Sequence, residues 1–292
     1  MVIEVHIVNA FIDGDTGGNP AGVVVDANQL STDQKQAVAS QVGLSETAFV
    51  SRSSIATLKL EFFTPTQQIA HCGHATIATF SLLRQLGVLS EGRHTKETID
   101  GNRNILIESD AAFMQQRVPS YLPITEEHEA FRAVLQSLNI SSDLLLDVHV
   151  PQVVNTGNSF LILPIVDEET LLSLEPSFSA VEAISKQFDL IGYYAFTLSV
   201  KNPGRIAGTR MFAPRYGIKE EAGTGMAAGS LACYLYDVVN QKKADMLIEQ
   251  GWLMPSVSPC VISVKLELSD GKIVGLMAGG RAASVEVVRV EV

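Results

Sequence analysis

The chain has 292 residues, 46% of them hydrophobic and 18% charged, with 21 Lys and Arg against 32 Asp and Glu for a net charge of −11. This length and apolar content suit one large domain or two ordinary ones, each with a sizeable core, and exclude intrinsic disorder. The acidic balance argues against nucleic acid and anionic membrane surfaces as partners, because both are bound through clustered Lys and Arg.

No stretch approaches the ~20 apolar residues of a membrane span. The first eleven residues lack a basic leader and carry Glu4 and His6 within an apolar run, so they read as a strand and not as a signal peptide. Cys72, Cys233 and Cys260 are far apart and odd in number. Neither a disulfide framework nor a Cys-based zinc site is expected, and a cytoplasmic protein is the default.

In chain order, residues 2–11 alternate with Ile3, Val5 and Ile7 on one face, as a half-buried strand does. The turn Gly17-Gly18-Asn19-Pro20 precedes a short apolar run, Val23 to Val25. Ser31 and Gln34 have capping-box spacing for a helix that stops before Gly43. Strands are expected at 47–51 and 57–63. A helix of small and apolar residues follows over 73–86, with Gly87 as its stop signal. It has little polar surface, which predicts burial on most sides. Strands are expected at Tyr193–Lys201 and Ile206–Phe212, a second small-residue helix from about Gly225, and β structure over 246–250, 260–267 and 272–290.

The two halves share a grammar. Phe62-Phe63-Thr64-Pro65 precedes Cys72-Gly73-His74-Ala75, and Met211-Phe212-Ala213-Pro214 precedes Thr224-Gly225-Met226-Ala227. A strand, a turn and a buried helix repeated in this way point to two similar lobes, the alternative being coincidence between two Pro-turn-helix passages. A Gly at a helix start lets a ligand come close to first-turn N–H groups that have no intrahelical partner, so Gly73 and Gly225 are candidate carboxylate receptors. The alternative is that each glycine only permits tight packing. A nucleotide site around Gly223-Thr224-Gly225 is excluded, because no P-loop lysine follows and no G-x-G-x-x-G stands after a strand.

Glu46, between a helix and an apolar strand, is placed either as a desolvated general base or as a solvated loop acid. Glu220 and Glu221 precede the second small-residue helix, as acids near its N-terminus or as a catalytic acid. His74 is a pocket-wall residue or a proton donor. His71 and His74 raise a metal, but no acid or cysteine set in the sequence completes a recognisable site, so no metal is expected. Cys72 is a thiol nucleophile or a small buried hydrophobe. Its counterpart in the second half is Thr224, which argues against a two-thiol racemase.

Gly18-Asn19-Pro20-Ala21-Gly22-Val23-Val24, Ser45-Glu46-Thr47-Ala48-Phe49, Phe63-Thr64-Pro65, Cys72-Gly73-His74-Ala75-Thr76 and Met211-Phe212-Ala213-Pro214 resemble, in order and over the whole chain, the phenazine-biosynthesis PhzF-like isomerase family. The resemblance implies an α+β fold like diaminopimelate epimerase, in which two pseudo-symmetric lobes each wrap a mixed sheet or barrel around a central helix. Residues 1–116 with about 277–292 would form one lobe and residues 117–276 the other, with the active site in the cleft between them. It implies cofactor-free and metal-free proton transfer at carbon of a small carboxylated substrate. The catalytic residues would be Glu46, His74 and Glu221, and the substrate-binding residues Asn19, Gly73, Thr224, Gly225 and Met226.

Three positions depart from the family pattern. Glu221 stands for its Asp, Met226 for its Ser or Asn, and Glu61 for its Arg. The rival function is a non-catalytic carboxylate-binding protein of the same fold. The acidic surface and edge-like strands are compatible with a homodimer.

Overall fold

The computed structural model describes residues 1–146, 150–200 and 202–292. Two units emerge, Met1–Gln115 with Gly279–Val292, and Gln116–Ala278. Among the described residues, no helix is long and apolar enough to cross a membrane.

The first unit contains β1 (Val2–Ala10), β2 (Asn19–Val24), α1 (Thr32–Val42), β3 (Thr47–Ser51), β4 (Leu58–Phe63), β5 (Gln68–Ile69), α2 (Gly73–Gln85), β6 (Gly92–Thr98), β7 (Gly101–Glu108) and β8 (Ala111–Gln116). The chain returns to it at the end of the last strand, which pairs antiparallel with β1 from Val2↔Glu291 to Ala10↔Ala282 and also pairs with β8. Antiparallel β1–β2, parallel β2–β3, antiparallel β3–β4, parallel β4–β6 and antiparallel β6–β7 and β7–β8 complete the circuit. The result is a closed mixed barrel, with the two-residue β5 beside β4.

Its central helix is α2, packed against β1, β2, β3 and β7 and buried at every position from His74 to Leu83. The expectation of a helix buried all round is met. Outside the barrel, α1 carries the Ser31–Gln34 capping box, in both directions, and ends at Gly43 with φ 70°. It covers Val5, Val24, Phe49 and Phe63 with Val38 and Ala39.

The second unit contains β9 (Ser120–Pro123), α3 (Phe131–Ser137), β10 (Gln152–Asn155), β11 (Ser159–Pro164), α4 (Glu168–Ser173), α5 (Phe178–Gln187), β12 (Gly192–Thr197), β13 (Ala207–Ala213), β14 (Ile218–Glu221), α6 (Gly225–Asp237), β15 (Asp245–Gln250), β16 (Cys260–Ser269) and the first part of β17 (Lys272–Glu291). Strands pair in the order β9–β10–β11–β12–β13–β15–β16, with β11–β12 and β13–β15 parallel and β14 also beside β13. The turn at Asp270 (φ 50°) and Gly271 (φ 73°) has the doubly positive φ that suits a tight hairpin. Helix α6 packs on β10, β11 and β16 and is buried from Gly225 through Tyr236.

The α+β architecture, with one wholly buried helix of small residues in each unit, is the expected one. One strand is shorter than expected: β12 ends at Thr197, where Thr197 Oγ1 accepts from Ser199 N at 3.2 Å and turns the chain. Lys201, the expected end of that strand, lies outside the described residues. The segment that carries β6 to β11 and α3 to α5 had no assignment from sequence.

Candidate active site

Glu46 stands immediately before β3, where the backbone of β2 holds it. Gly22 N donates to Glu46 O at 3.0 Å. A Cβ on Gly22 would lie 2.8 Å from Thr47 Oγ1, so the approach of β2 to this segment requires glycine. The Glu46 side chain turns inward, and the residue is only 8% exposed. His74, in the first turn of α2, is 5% exposed, and its Nε2 faces Glu46 Oε2 at 3.3 Å. That separation allows electrostatic attraction. The angles are not those of a hydrogen bond, and Glu46 Oε2 makes none among the described residues. A buried carboxylate oxygen in this condition is an open hydrogen-bond acceptor.

The other nitrogen of the same ring, Nδ1, meets Cys72 Sγ at 3.6 Å. Glu46, Cys72 and His74 thus form a buried group whose ligand atoms lie within 4.8 Å of one another. The expectation that no acid or cysteine set would complete a site with His71 and His74 is corrected for His74 alone: Glu46 and Cys72 both join it, because the segment before β3 brings Glu46 to the start of α2, while His71 meets Lys96 instead. The imidazole lies between thiol and carboxylate and offers them different nitrogens. The two partners thus face different ring nitrogens, whereas a metal ion would take one nitrogen and draw both partners to it.

Neither α2 nor α6 has a side-chain cap at its N-terminus, at Cys72 and Thr224 respectively. In contrast, α1 is capped by Ser31 and α4 by Asp167. The helix starts at Gly73 and Gly225 therefore share the same uncapped character. Asn19, also expected at the site, is buried at the head of β2. Gly18 before it has φ +96°, and a Cβ there would meet Asn9 Cβ at 2.8 Å and Ala10 O at 3.0 Å.

In the second unit, Glu221, Thr224, Gly225 and Met226 form one connected segment. Glu221 ends β14, and the Thr224 hydroxyl donates to Glu221 Oε2. The segment is held by Gln250, whose Nε2 donates to Glu221 O at 2.7 Å and Thr224 Oγ1 at 3.1 Å. Gln250 Oε1 accepts from Thr224 N at 3.0 Å and from Tyr194 OH at 2.9 Å. Gln116 Nε2 donates to Gly225 O at 2.9 Å, while its Oε1 accepts from Thr156 Oγ1 at 2.7 Å. Met226 is buried.

Glu220 is not a helix-terminus acid. It forms a two-pronged ion pair with buried Arg210, at 2.8 Å and 2.9 Å. Glu61, at the family's arginine position, pairs with Lys35 at 2.5 Å and is part of the scaffold.

Sequence reasoning missed a buried amine below α2. Lys96, on β6, is fully buried. Its Nζ donates to Thr76 Oγ1 at 2.7 Å and meets His71 Nδ1 at 3.1 Å. Burial is the main cause that pushes its pKa down to about 7, with Arg103 acting in the same direction and Cys72 and Asp100 against it. Removal from water, then Lys96 and Arg103, hold His71 well below the ordinary imidazole range, so His71 is neutral and accepts from Lys96.

Barrel, buried central helix and inward-facing side chains together define an α+β protein with a buried carboxylate–imidazole pair at the head of its core helix. A sequence profile of the phenazine biosynthesis-like protein family matches residues 8–286, and the chain belongs to that family. An uncharacterized isomerase of Escherichia coli O157:H7 is 32% identical over 237 residues, 80% of this chain and 78% of the relative. The trans-2,3-dihydro-3-hydroxyanthranilate isomerase of Pseudomonas chlororaphis is 29% identical over 242 residues, 78% of each chain. The solved structure of a Bacillus anthracis phenazine biosynthesis protein of the PhzF family superposes with a TM-score of 0.87 at 24% identity over 100% of both chains, and it shares the fold.

Proposed function

We propose that this protein is an isomerase that moves a proton at carbon of a small carboxylated metabolite, with Glu46 as the base and no bound cofactor. The observation that carries the reading is the Glu46 carboxylate, buried, with Oε2 uncommitted to a hydrogen bond and 3.3 Å from His74 Nε2. The names of the relatives support an isomerase of this type.

In the proposed reaction, Glu46 Oε2 takes a proton from a carbon made acidic by a neighbouring carboxylate, carbonyl or diene. The electron pair left behind moves into that neighbouring group. First-turn N–H groups of α2, which no side chain caps, stabilise the charge that develops there. Glu46 then returns the proton to a different carbon on the same face. His74 fixes the carboxylate and completes the donor set. Glu221, with its carboxylate held by the Thr224 hydroxyl, is assigned the handling of a second proton, and Asn19, Gly73, Thr224, Gly225 and Met226 the binding of substrate.

The test uses solvent deuterium. A panel of carboxylated carbon acids is incubated with the protein in D₂O, and exchange is read by mass spectrometry. Glu46→Gln keeps size and hydrogen-bonding reach but cannot accept the proton, so the rate of wash-in should fall ~10²–10⁴-fold with little change in folding. Undiminished exchange in Glu46→Gln would overturn the base assignment. Tight binding of panel members by the wild type without exchange would establish the non-catalytic alternative.

A further inference from the structure

We propose that Lys96 is a positioning residue for the His74–Glu46 pair, acting through Thr76 and His71 on the turn that begins α2. The inference rests on the reading of Glu46 and His74 as the acid–base pair, and it concerns a side chain that this chemistry does not otherwise use. A charged residue type buried completely in a barrel wall needs a reason, because desolvation opposes it.

The contacts give one. Thr76 Oγ1 accepts from Lys96 Nζ at 2.7 Å and donates to Cys72 O at 2.6 Å. The same amine meets His71 Nδ1 at 3.1 Å. One side chain on β6 therefore ties down residues 71 and 72, the two that precede Gly73 and His74.

The hydrogen count agrees. A neutral amine has two N–H groups, and two acceptors are present, Thr76 Oγ1 and His71 Nδ1. An ammonium adds a third hydrogen, for which the remaining neighbour is the Phe62 ring, with its centroid 5.1 Å from Nζ. Charged neighbours are few. Arg103, on β7, opposes the ammonium, while Asp100 and the Cys72 thiol favour it. Arg103 and Asp100 are themselves paired at 2.6 Å. The turn is thus fully satisfied when Lys96 is neutral. Below about pH 7 the amine gains a charge that burial disfavours, and the balance of contacts that sets the turn before His74 shifts with it.

The experiment compares wild type with Lys96→Met, Thr76→Val and Thr76→Ser. Two readouts are taken from pH 6 to 9: kcat and KM for deuterium wash-in, and the ring ¹⁵N shifts of His74. Misplacement of a reacting pair by a fraction of an ångström predicts a loss in kcat on the order of tenfold for Lys96→Met and Thr76→Val. KM should change less than kcat, because of the residues assigned to substrate only Gly73 lies on this turn, while Asn19, Thr224, Gly225 and Met226 stand elsewhere. Wild-type kcat should carry an inflection near pH 7 that Lys96→Met lacks. The His74 ring shifts should move in both variants, and Thr76→Ser, which restores the hydroxyl, should recover shifts and rate.

Wild-type rate, pH profile and His74 shifts in Lys96→Met would overturn the proposal. If Lys96→Met fails to fold, the contrast between Thr76→Val and Thr76→Ser decides alone. The ring shifts need no turnover, so they judge Lys96 even if Glu46→Gln retains full exchange and the base assignment falls.

Discussion

Replacing Lys96 by Met should make the protein more stable and change how its stability depends on pH. Folding strips the amine of water, and its pKa falls from 10.5 to about 7, chiefly through burial. The folded protein therefore releases this proton near pH 7, while the unfolded chain keeps it up to its own, higher pKa. Between the two values the unfolded state carries more protons. Stability must then rise with pH across that window and lie flat at its lowest below it. The separation, 10.5 minus about 7, corresponds to roughly 5 kcal/mol at ~1.4 kcal/mol per pH unit. About 2–3 kcal/mol of this accrues between pH 6 and pH 9, the range in which the folded form has lost the proton and the unfolded form still holds it.

The assay is urea unfolding of wild type and Lys96→Met at several pH values in that range. Other titrating groups are common to both proteins and cancel in the difference. Lys96→Met should be the more stable protein at pH 6, and its advantage should shrink by about 2–3 kcal/mol at pH 9. Parallel curves for the two proteins would refute the reasoning, because they would mean that Lys96 keeps the same proton in both states. A variant that gains stability and loses kcat would follow from the two effects together, since a strained or desolvated group at a site is commonly held against stability.

Cys72→Ala should retain deuterium exchange, because the proposed base is Glu46 and the thiol faces the other nitrogen of His74; loss of exchange in this variant would move the chemistry to the cysteine. Arg210→Met should lower stability by about 3–5 kcal/mol in chemical denaturation, because it leaves the Glu220 carboxylate buried without its partner. The same change removes a donor from the carbonyls of Leu171, Leu172 and Leu174, which the guanidinium now satisfies. Gly18→Ala should cost about 1–3 kcal/mol, read as a lower melting temperature, because alanine at φ +96° is strained and its Cβ meets Asn9 and Ala10.

Much of the fold was legible wherever the causes lie within a few residues. The Ser31–Gln34 cap is a pair of hydrogen bonds across one helical turn. The small-residue composition of α2 and α6 already states that other elements surround them, because a helix without a polar face has no side for water. The repeated turn and helix pointed to two units, each of which does carry a buried helix of small residues, and the ordered motifs around Glu46 and His74 carried the family. Between Gly87 and Gly192 the sequence was silent. Strand β6 reads Gly-Arg-His-Thr-Lys-Glu-Thr, with no apolar alternation to mark it, and only its pairing with β4 and β7 makes it a barrel wall.

Tertiary structure alone decided which polar groups meet. Glu46 and His74 could each be named as candidates, but their 3.3 Å approach depends on β2 and β3 lying against the start of α2. Cys72 joins them because the turn before α2 aims its thiol at the ring's other nitrogen. Lys96 had no local signature, since depth in a barrel is a property of the closed circuit and not of any heptapeptide. Glu220 and Glu221 are adjacent and chemically alike, yet one is consumed by Arg210 and the other is held by Thr224, because successive residues of a strand point to opposite faces. Local sequence sets backbone hydrogen bonding and apolar periodicity. The partners, burial and charge state of a side chain depend on segments far away in the chain, which meet only when the barrel closes.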